Sequence, residues 1–201
     1  MRKIILASAS QGRKRILKSL GIPFEVVPSN LDEDKITGSN PVEILKTRAR
    51  AKAETVIKKI SNFKFQISNF LIIAADSSVI LNGKIYGKPR DKKEARKFLA
   101  ALSGKTHDFV TAVCVIQGKK VWQAVEITKV TFRKLKMSEI DIFVKRFDLI
   151  KFAGAYSLFD TPQDFIAKIE GSLTNVLGLP LEKLLPVLRE TNLLKIIKCH
   201  K

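Results

Sequence analysis

Two periods run through the apolar positions of this chain. A mainly apolar stretch at 3–7 reads as a buried strand and one at 24–27 as a second strand, and an apolar run climbs from Leu71 to Ala75. Between them, apolar residues recur at helical spacing: Ile16, Leu17 and Leu20, then Ile44, Leu45, Ala49, Ala53, Val56 and Ile60. Gly21 and Pro23 end the first of these helices, and Asn40-Pro41-Val-Glu43 opens the second with a capping box. A second capping box, Asp91-Lys-Lys-Glu94, opens a helix through Ala95, Phe98, Leu99 and Leu102, closed by Gly104. Residues 106–116 alternate as a strand, and a turn at 117–119 leads to a longer strand over 121–135. The pattern then predicts a short helix over 138–148 with Ser138 as its cap, a helix over 163–170 ended by Gly171, and a last helix over 181–190. The tail, 193–201, is apolar then basic, and either packs on the body or frays. Ile60-Ser-Asn-Phe63 recurs as Ile67-Ser-Asn-Phe70, which reads as a lengthened helix-to-strand connection. The sum is an α/β protein with an antiparallel hairpin added to its strand–helix units.

One stretch breaks the apolar rule. The run from Leu71 ends on Asp76, followed by Ser77 and Ser78; the chain goes on as a strand, turns at Asn82-Gly83 and returns to Gly87-Lys88-Pro89. A carboxylate at the end of a buried strand is costly without a partner such as a metal or a cation. Lys88, on the return arm, can face the same cleft. The first strand–turn–helix unit carries Ser8 and Ser10 in its turn and Arg13 in the helix. Free helix N–H groups there suit a phosphate, to which Arg13 can add a bidentate contact; a serine before a helix is equally a plain cap. Asp32, Glu33 and Asp34 share the loop 29–39, which either supplies a Mg²⁺ ligand or is a solvated acidic turn. Arg48 and Lys52, four apart, share a helix face that is either a solvated basic stripe or a partner for phosphate or carboxylate. His107, with no Ser or Cys nucleophile motif beside it, reads as a hydrogen-bonded structural histidine. Ala153-Gly-Ala-Tyr156 is small enough for backbone to approach a ligand, and Asn175-Val-Leu-Gly-Leu-Pro180 turns into the last helix.

Composition narrows the picture. The formal net charge is +18, which attracts polyanions without choosing between nucleic acid and a phosphate-rich small substrate. Hydrophobic content of 45% in 201 residues suits one domain, or one domain with two lobes. No apolar run reaches the roughly 18 residues of a membrane span. The basic, small-residue start mimics a signal peptide, but its apolar part, Ile4–Ala7, is too short, so a cytoplasmic protein is expected. Cys114 and Cys199 form no metal-ligand spacing and read as inert thiols in a reducing compartment.

An ordered set of motifs resembles the Maf family of nucleoside triphosphate pyrophosphatases, also called septum formation inhibitor proteins. The set comprises Leu6-Ala-Ser8-Ala-Ser10 with Arg13, Asp32-Glu33, Lys52-Ala53, Ala74-Ala75-Asp76, Gly87-Lys88-Pro89, Leu102-Ser-Gly104 with His107 and Thr111, Gly154-Ala-Tyr156, Gly171-Ser172, and Asn175-Val-x-Gly-Leu-Pro180. It spans nearly the whole chain, 1–201, as one domain. The resemblance implies an elongated α/β/α body with a mixed, twisted sheet, and two lobes around a deep cleft as in inosine triphosphatase-like enzymes. It implies hydrolysis between the α and β phosphates of a nucleoside triphosphate such as dTTP or UTP, or a modified nucleotide, in a house-cleaning role. It also implies a divalent cation (Mg²⁺, Mn²⁺ or Co²⁺) and a homodimer.

Onto these positions the resemblance maps Asp76, Glu33 and Lys52 as catalytic, with Asp76 and Glu33 as metal ligands. Ser8, Ser10, Arg13 and Lys88 become phosphate-binding, and Arg13, Ser77 and Phe159 specificity positions. Two departures stand out. Gln11-Gly12 replaces the family's usual proline and first arginine, and Phe159 replaces the glutamine or glutamate of the known branches. A phenylalanine can stack on a base but makes no base-edge hydrogen bond; Asp160, next to it, is placed to compensate. The competing reading is a basic nucleic-acid-binding or cell-division regulatory protein with little catalysis. It explains the charge but leaves Asp76, Glu33 and the Gly-Lys-Pro hairpin idle, and the strands lack the aromatic interleaving of RNA-binding sheets.

Overall fold

The computed structural model describes residues 3–61, 69–159, 163–191 and 193. Most of the repeated echo (62–68), Asp160, Cys199 and the tail beyond Leu193 lie outside the described residues. The strands are β1 (Lys3–Leu6), β2 (Phe24–Val26), β3 (Phe70–Leu81), β4 (Lys84–Tyr86), β5 (Thr106–Gln117), β6 (Lys120–Phe132) and β7 (Ile166–Glu170). The helices are α1 (Gln11–Ser19), α2 (Pro41–Ser61), α3 (Lys92–Leu102), α4 (Met137–Arg146), α5 (Leu173–Val176) and α6 (Leu181–Glu190). The strands form one mixed sheet in the order β2-β1-β3-β5-β6-β7, with β4 also paired to β3. β2, β1 and β3 run parallel, and the pairings from β3 through β5 and β6 to β7 are antiparallel.

The middle of this sheet, β1, β3 and β5, is covered on both faces, giving an α/β/α sandwich. On one face, Ile72 and Ala74 of β3 and Val110, Ala112 and Cys114 of β5 pack against Leu45, Ala49, Ala53 and Val56 of α2. On the other, Leu71, Ile73 and Ala75 meet Ile16 and Leu17 of α1 and Leu184 and Leu188 of α6. Farther along that second face, Val79, Phe109, Val130 and Phe132 join α3, α4 and Tyr156. The Cys114 thiol lies in the core, where burial pushes it up to about 12. Among the described residues no helix is long and apolar enough to cross a membrane.

Two local expectations fail. Residues 163–170 do not form a helix: a single 3₁₀ turn at Gln163–Phe165 leads into β7, which pairs with β6 across a bulge at Thr131/Phe132. Ile166 and Ile169 have helical spacing, but five residues carry too little pattern to outweigh the pairing edge that β6 offers. Nor does Ser138 cap α4. The helix starts at Met137, and the carboxylate of Glu139 accepts the Lys136 N–H at 2.7 Å while paired to Arg133.

Candidate active site

β1 and β4 leave a gap between them along β3. β1 pairs as far as Ile73, whose carbonyl accepts the Ala7 N–H at 2.8 Å, and β4 joins only at Val79. Residues 74–78 therefore present an edge without a strand partner, at the carboxyl end of β1, while β5 remains bonded along the other edge. Crevices at strand carboxyl ends are where open α/β sheets take ligands. Asp76 and Ser77 lie in this gap, and strand alternation sends their side chains to opposite faces.

Asp76 is on the α2 face. Lys52, on the inner side of α2, reaches Asp76 Oδ1 at 2.5 Å and Glu33 Oε1 at 2.9 Å. Lys52 is 6% exposed and Asp76 3%, so neither charge would be tolerable there alone. Burial, the largest influence, holds the Asp76 carboxyl above its ordinary range in spite of Lys52, with the nearby charge of Glu33 adding to the rise. Partial burial works upward on Glu33 too, but the Lys52 ammonium, helped by Lys88 and Arg13, holds its carboxyl below the usual value. Lys88 is exposed and, among the described residues, makes no ion pair. Arg48, one turn before Lys52 on α2, makes no ion pair with the triad among the described residues. Its Nη2 donates to the Ile36 carbonyl at 3.1 Å and so tethers the loop that carries Glu33.

Ser77 is on the other face, with Arg13. The Arg13 guanidinium is buried and spent on the protein itself. Nε donates to the Gly178 carbonyl (2.8 Å), Nη1 to the Ala75 carbonyl (2.8 Å) and Ser8 Oγ (3.1 Å), and Nη2 to Ser77 Oγ (3.0 Å). These bonds take four of its five N–H groups and leave one for a ligand. Burial lowers its pKa, partly offset by Asp76 and Glu33. Ser8 Oγ also accepts the Ser10 N–H at 3.2 Å, and exposed Ser10 caps α1 through the Arg13 N–H. The Gly12 departure has a local reason, since a Cβ there would sit 2.7 Å from the Leu177 carbonyl oxygen of the turn that Arg13 holds.

The structure thus brings Asp76, Lys52 and Glu33 into contact on one face, and Arg13, Ser77 and Ser8 on the other. It does not join Phe159 to either group. Phe159 is 45% exposed, with the Arg15 guanidinium 5.1 Å above its ring. The small segment at Ala153–Ala155 serves packing rather than ligand approach: a Cβ on Gly154 would lie 2.6 Å from Val79 Cγ2, and its N–H donates to the Gly87 carbonyl, bracing the Gly-Lys-Pro loop. His107 is structural, as its sequence context implied. Its Nε2 lies 3.0 Å from the Tyr156 hydroxyl, and burial lowers its pKa to about 4.

Sequence reasoning gave no role to Thr111 or Asn175, both fully buried. Thr111 sits opposite Ser77 in the β3–β5 register, its hydroxyl 2.9 Å from Ser77 Oγ and 3.2 Å from the Asn175 carbonyl. A hydroxyl in an otherwise apolar strand was the available signal.

Among the described residues no three His, Cys, Asp or Glu side chains cluster to hold a metal. Asp76 and Glu33 each use one oxygen on Lys52, leaving the second oxygen of each without a hydrogen bond among the described residues. Two carboxylates, with substrate oxygens and water completing the shell, match the way Mg²⁺ is held in nucleotide sites.

The family model described as "Maf-like protein" matches residues 3–191. The chain is 40% identical over 192 residues to the dTTP/UTP pyrophosphatase of Aquifex aeolicus, covering 96% of this chain and 97% of that one. It is 43% identical over 183 residues to the dTTP/UTP pyrophosphatase of Pyrococcus furiosus, covering 90% and 91%. The Ham1 protein of Staphylococcus aureus is a slighter structural likeness, at TM-score 0.45 and 21% identity over 65% of this chain and 72% of that one.

Proposed function

The chain belongs to the Maf family, and from that footing we propose that it hydrolyses nucleoside triphosphates to the monophosphate and pyrophosphate, with dTTP and UTP as its substrates. The observation that carries this reading is the buried Lys52 bridging Asp76 and Glu33 at the unpaired edge of β3. Phosphoanhydride hydrolysis asks for neutralised phosphate charge and an oriented water, and the triad with exposed Lys88 offers both. A polyanion-binding module would have no use for an ion triad enclosed in this way.

In the proposed reaction a water oxygen attacks the α-phosphorus and the bond to the bridging oxygen breaks. Pyrophosphate leaves, and the water's proton passes to Asp76. The raised pKa of Asp76 makes it a better proton acceptor than an ordinary aspartate. Lys52 holds that carboxylate in place, and Lys88, with the N–H groups at the start of α1 and the Ser8 and Ser10 hydroxyls, binds phosphate oxygens. Asp76 and Glu33 would hold a divalent cation (Mg²⁺, Mn²⁺ or Co²⁺) through their second oxygens. When bound, it supplies charge neutralisation on the phosphates and eases ionisation of water. Ser77 and Arg13 face the nucleoside, and Phe159 offers a ring on which a base stacks. The house-cleaning role and the homodimer belong to the same proposal and rest on family membership, while the cytoplasmic setting rests on the short apolar start, Ile4–Ala7.

The test is product analysis. Wild-type protein with UTP and Mg²⁺ is expected to give UMP and pyrophosphate in equal amounts, and chelation by EDTA to stop it. Release of UDP and inorganic phosphate, or no turnover of any nucleotide in a panel, would overturn the reading.

A further inference from the structure

The hydrogen bonds beneath Ser77 fix which way its hydroxyl proton points. Asn175 sets the chain of donors and acceptors. Its amide Nδ2 donates to the Phe109 carbonyl (2.8 Å) and to Thr128 Oγ1 (2.9 Å), so the turn that follows is held in one register against β5 and β6. Thr128 in turn donates to the Ser172 carbonyl (3.0 Å), and the Ser172 and Thr174 hydroxyls both reach Glu182 Oε2. This locked turn presents two backbone acceptors to the site, the Gly178 carbonyl to Arg13 Nε and the Asn175 carbonyl to Thr111 Oγ1.

A carbonyl can only accept, so Thr111 spends its single proton on Asn175. The 2.9 Å contact between Thr111 and Ser77 must then be donated by Ser77. The opposite arrangement, with Thr111 donating to Ser77, gives up the bond to the Asn175 carbonyl and makes one buried hydrogen bond fewer. Ser77 also accepts from Arg13 Nη2 at 3.0 Å. Its proton and one lone pair are therefore committed, and one lone pair remains.

We infer that Thr111 is a positioning residue for base selection: by taking the Ser77 proton it makes Ser77 a pure acceptor, matched to a pyrimidine whose ring N3 carries hydrogen. Uracil and thymine present N3–H to such a group, whereas cytosine presents a bare, accepting N3. The inference rests on the proposal that a nucleotide lies across the gap with its phosphates toward the charged triad and its base toward Ser77. It extends that proposal by assigning the hydrogen-bond polarity and by giving the Asn175–Gly178 turn a role in recognition.

The experiment compares kcat/KM for UTP and CTP in the full-length wild type, Thr111→Val, Thr111→Ser, Ser77→Ala and the Thr111→Val/Ser77→Ala double variant. Thr111→Val leaves the Asn175 carbonyl bonded to the Gly178 N–H at 2.8 Å, so no new buried acceptor is stranded. It frees the Ser77 proton. The UTP:CTP ratio is expected to fall about tenfold, the scale of one neutral hydrogen bond. Thr111→Ser is expected to restore the ratio, and Thr111→Val to change it no further in the Ser77→Ala background. A packing defect alone would lower both substrates together and leave the ratio unmoved. An unmoved ratio in Thr111→Val, or in Ser77→Ala should the valine variant not fold, overturns the relay. Wild-type protein that hydrolyses neither nucleotide overturns the functional proposal instead.

Discussion

Two adjacent residues of one strand serve opposite faces of the same sheet, and the faces are built differently. Toward α2, Asp76 meets Lys52 and Glu33 in a triad of charges withdrawn from water. Toward α1 and α6, Ser77 meets Thr111 and Arg13, whose charge is spent on backbone carbonyls and hydroxyls. The second face goes on in the same manner to His107, which burial keeps uncharged against Tyr156. Strand alternation separates the charged triad that takes the proton from the hydrogen-bonded network that fixes the polarity of Ser77, while Ser8 and the start of α1 bring phosphate contacts to this second face. The price of concentrating charge is stability that depends on every member of the triad; the neutral face depends on geometry.

Four substitutions break or sharpen that contrast. Asp76→Asn is expected to lower kcat by about a thousandfold, within the usual range for loss of a positioned proton acceptor, while leaving the UTP:CTP ratio intact; steady-state pyrophosphate release measures both. Lys52→Met strands two carboxylates, one deeply buried, and is expected to cost about 3 kcal/mol in urea unfolding at pH 7, far more than removal of an exposed lysine such as Lys18.

His107 gives a pH signature for the neutral face. Its folded pKa of about 4 lies below the unfolded value near 6.5, so its contribution is present above pH 6.5 and is lost as pH falls toward 4. Wild type is expected to lose about 2 kcal/mol more than His107→Gln between pH 6.5 and 4.5, read from urea midpoints at the two pH values. Smallest of all, Ser77→Ala is expected to leave kcat on UTP within a few fold while lowering the UTP:CTP ratio about tenfold. A large fall in kcat there would dissolve the division between the faces.

Much of this arrangement was legible in the chain. The apolar run ending on Asp76 announced a buried carboxylate in need of a partner, and helical spacing placed Lys52 on a definite face of α2. That the two meet, with Glu33 closing the triad, depends on a helix crossing a strand 24 residues away, which local pattern does not encode. Arg13 was visible as a cation at a helix start, but not that four internal acceptors claim it. Thr111 and Asn175 were the hardest to read. A neutral hydroxyl in an apolar strand and an amide in an apolar turn acquire meaning only once the register sets Thr111 against Ser77 and closes the turn beneath it. β7 was missed for a related reason, because its two isoleucines fit a helix until the edge of β6 recruits them.

The division of labour turns on Asp76 being the proton acceptor, and the titration of that carboxyl gives the claim a signature. Protonation removes the acceptor, so activity falls as pH drops through the titration of Asp76. The decisive measurement is the pH dependence of kcat for pyrophosphate release from UTP, wild type against Asp76→Asn. The expected result is an acid limb in wild type that disappears in the variant, leaving a low, flat residual rate. A variant that kept both the wild-type rate and the same acid limb would contradict the assignment.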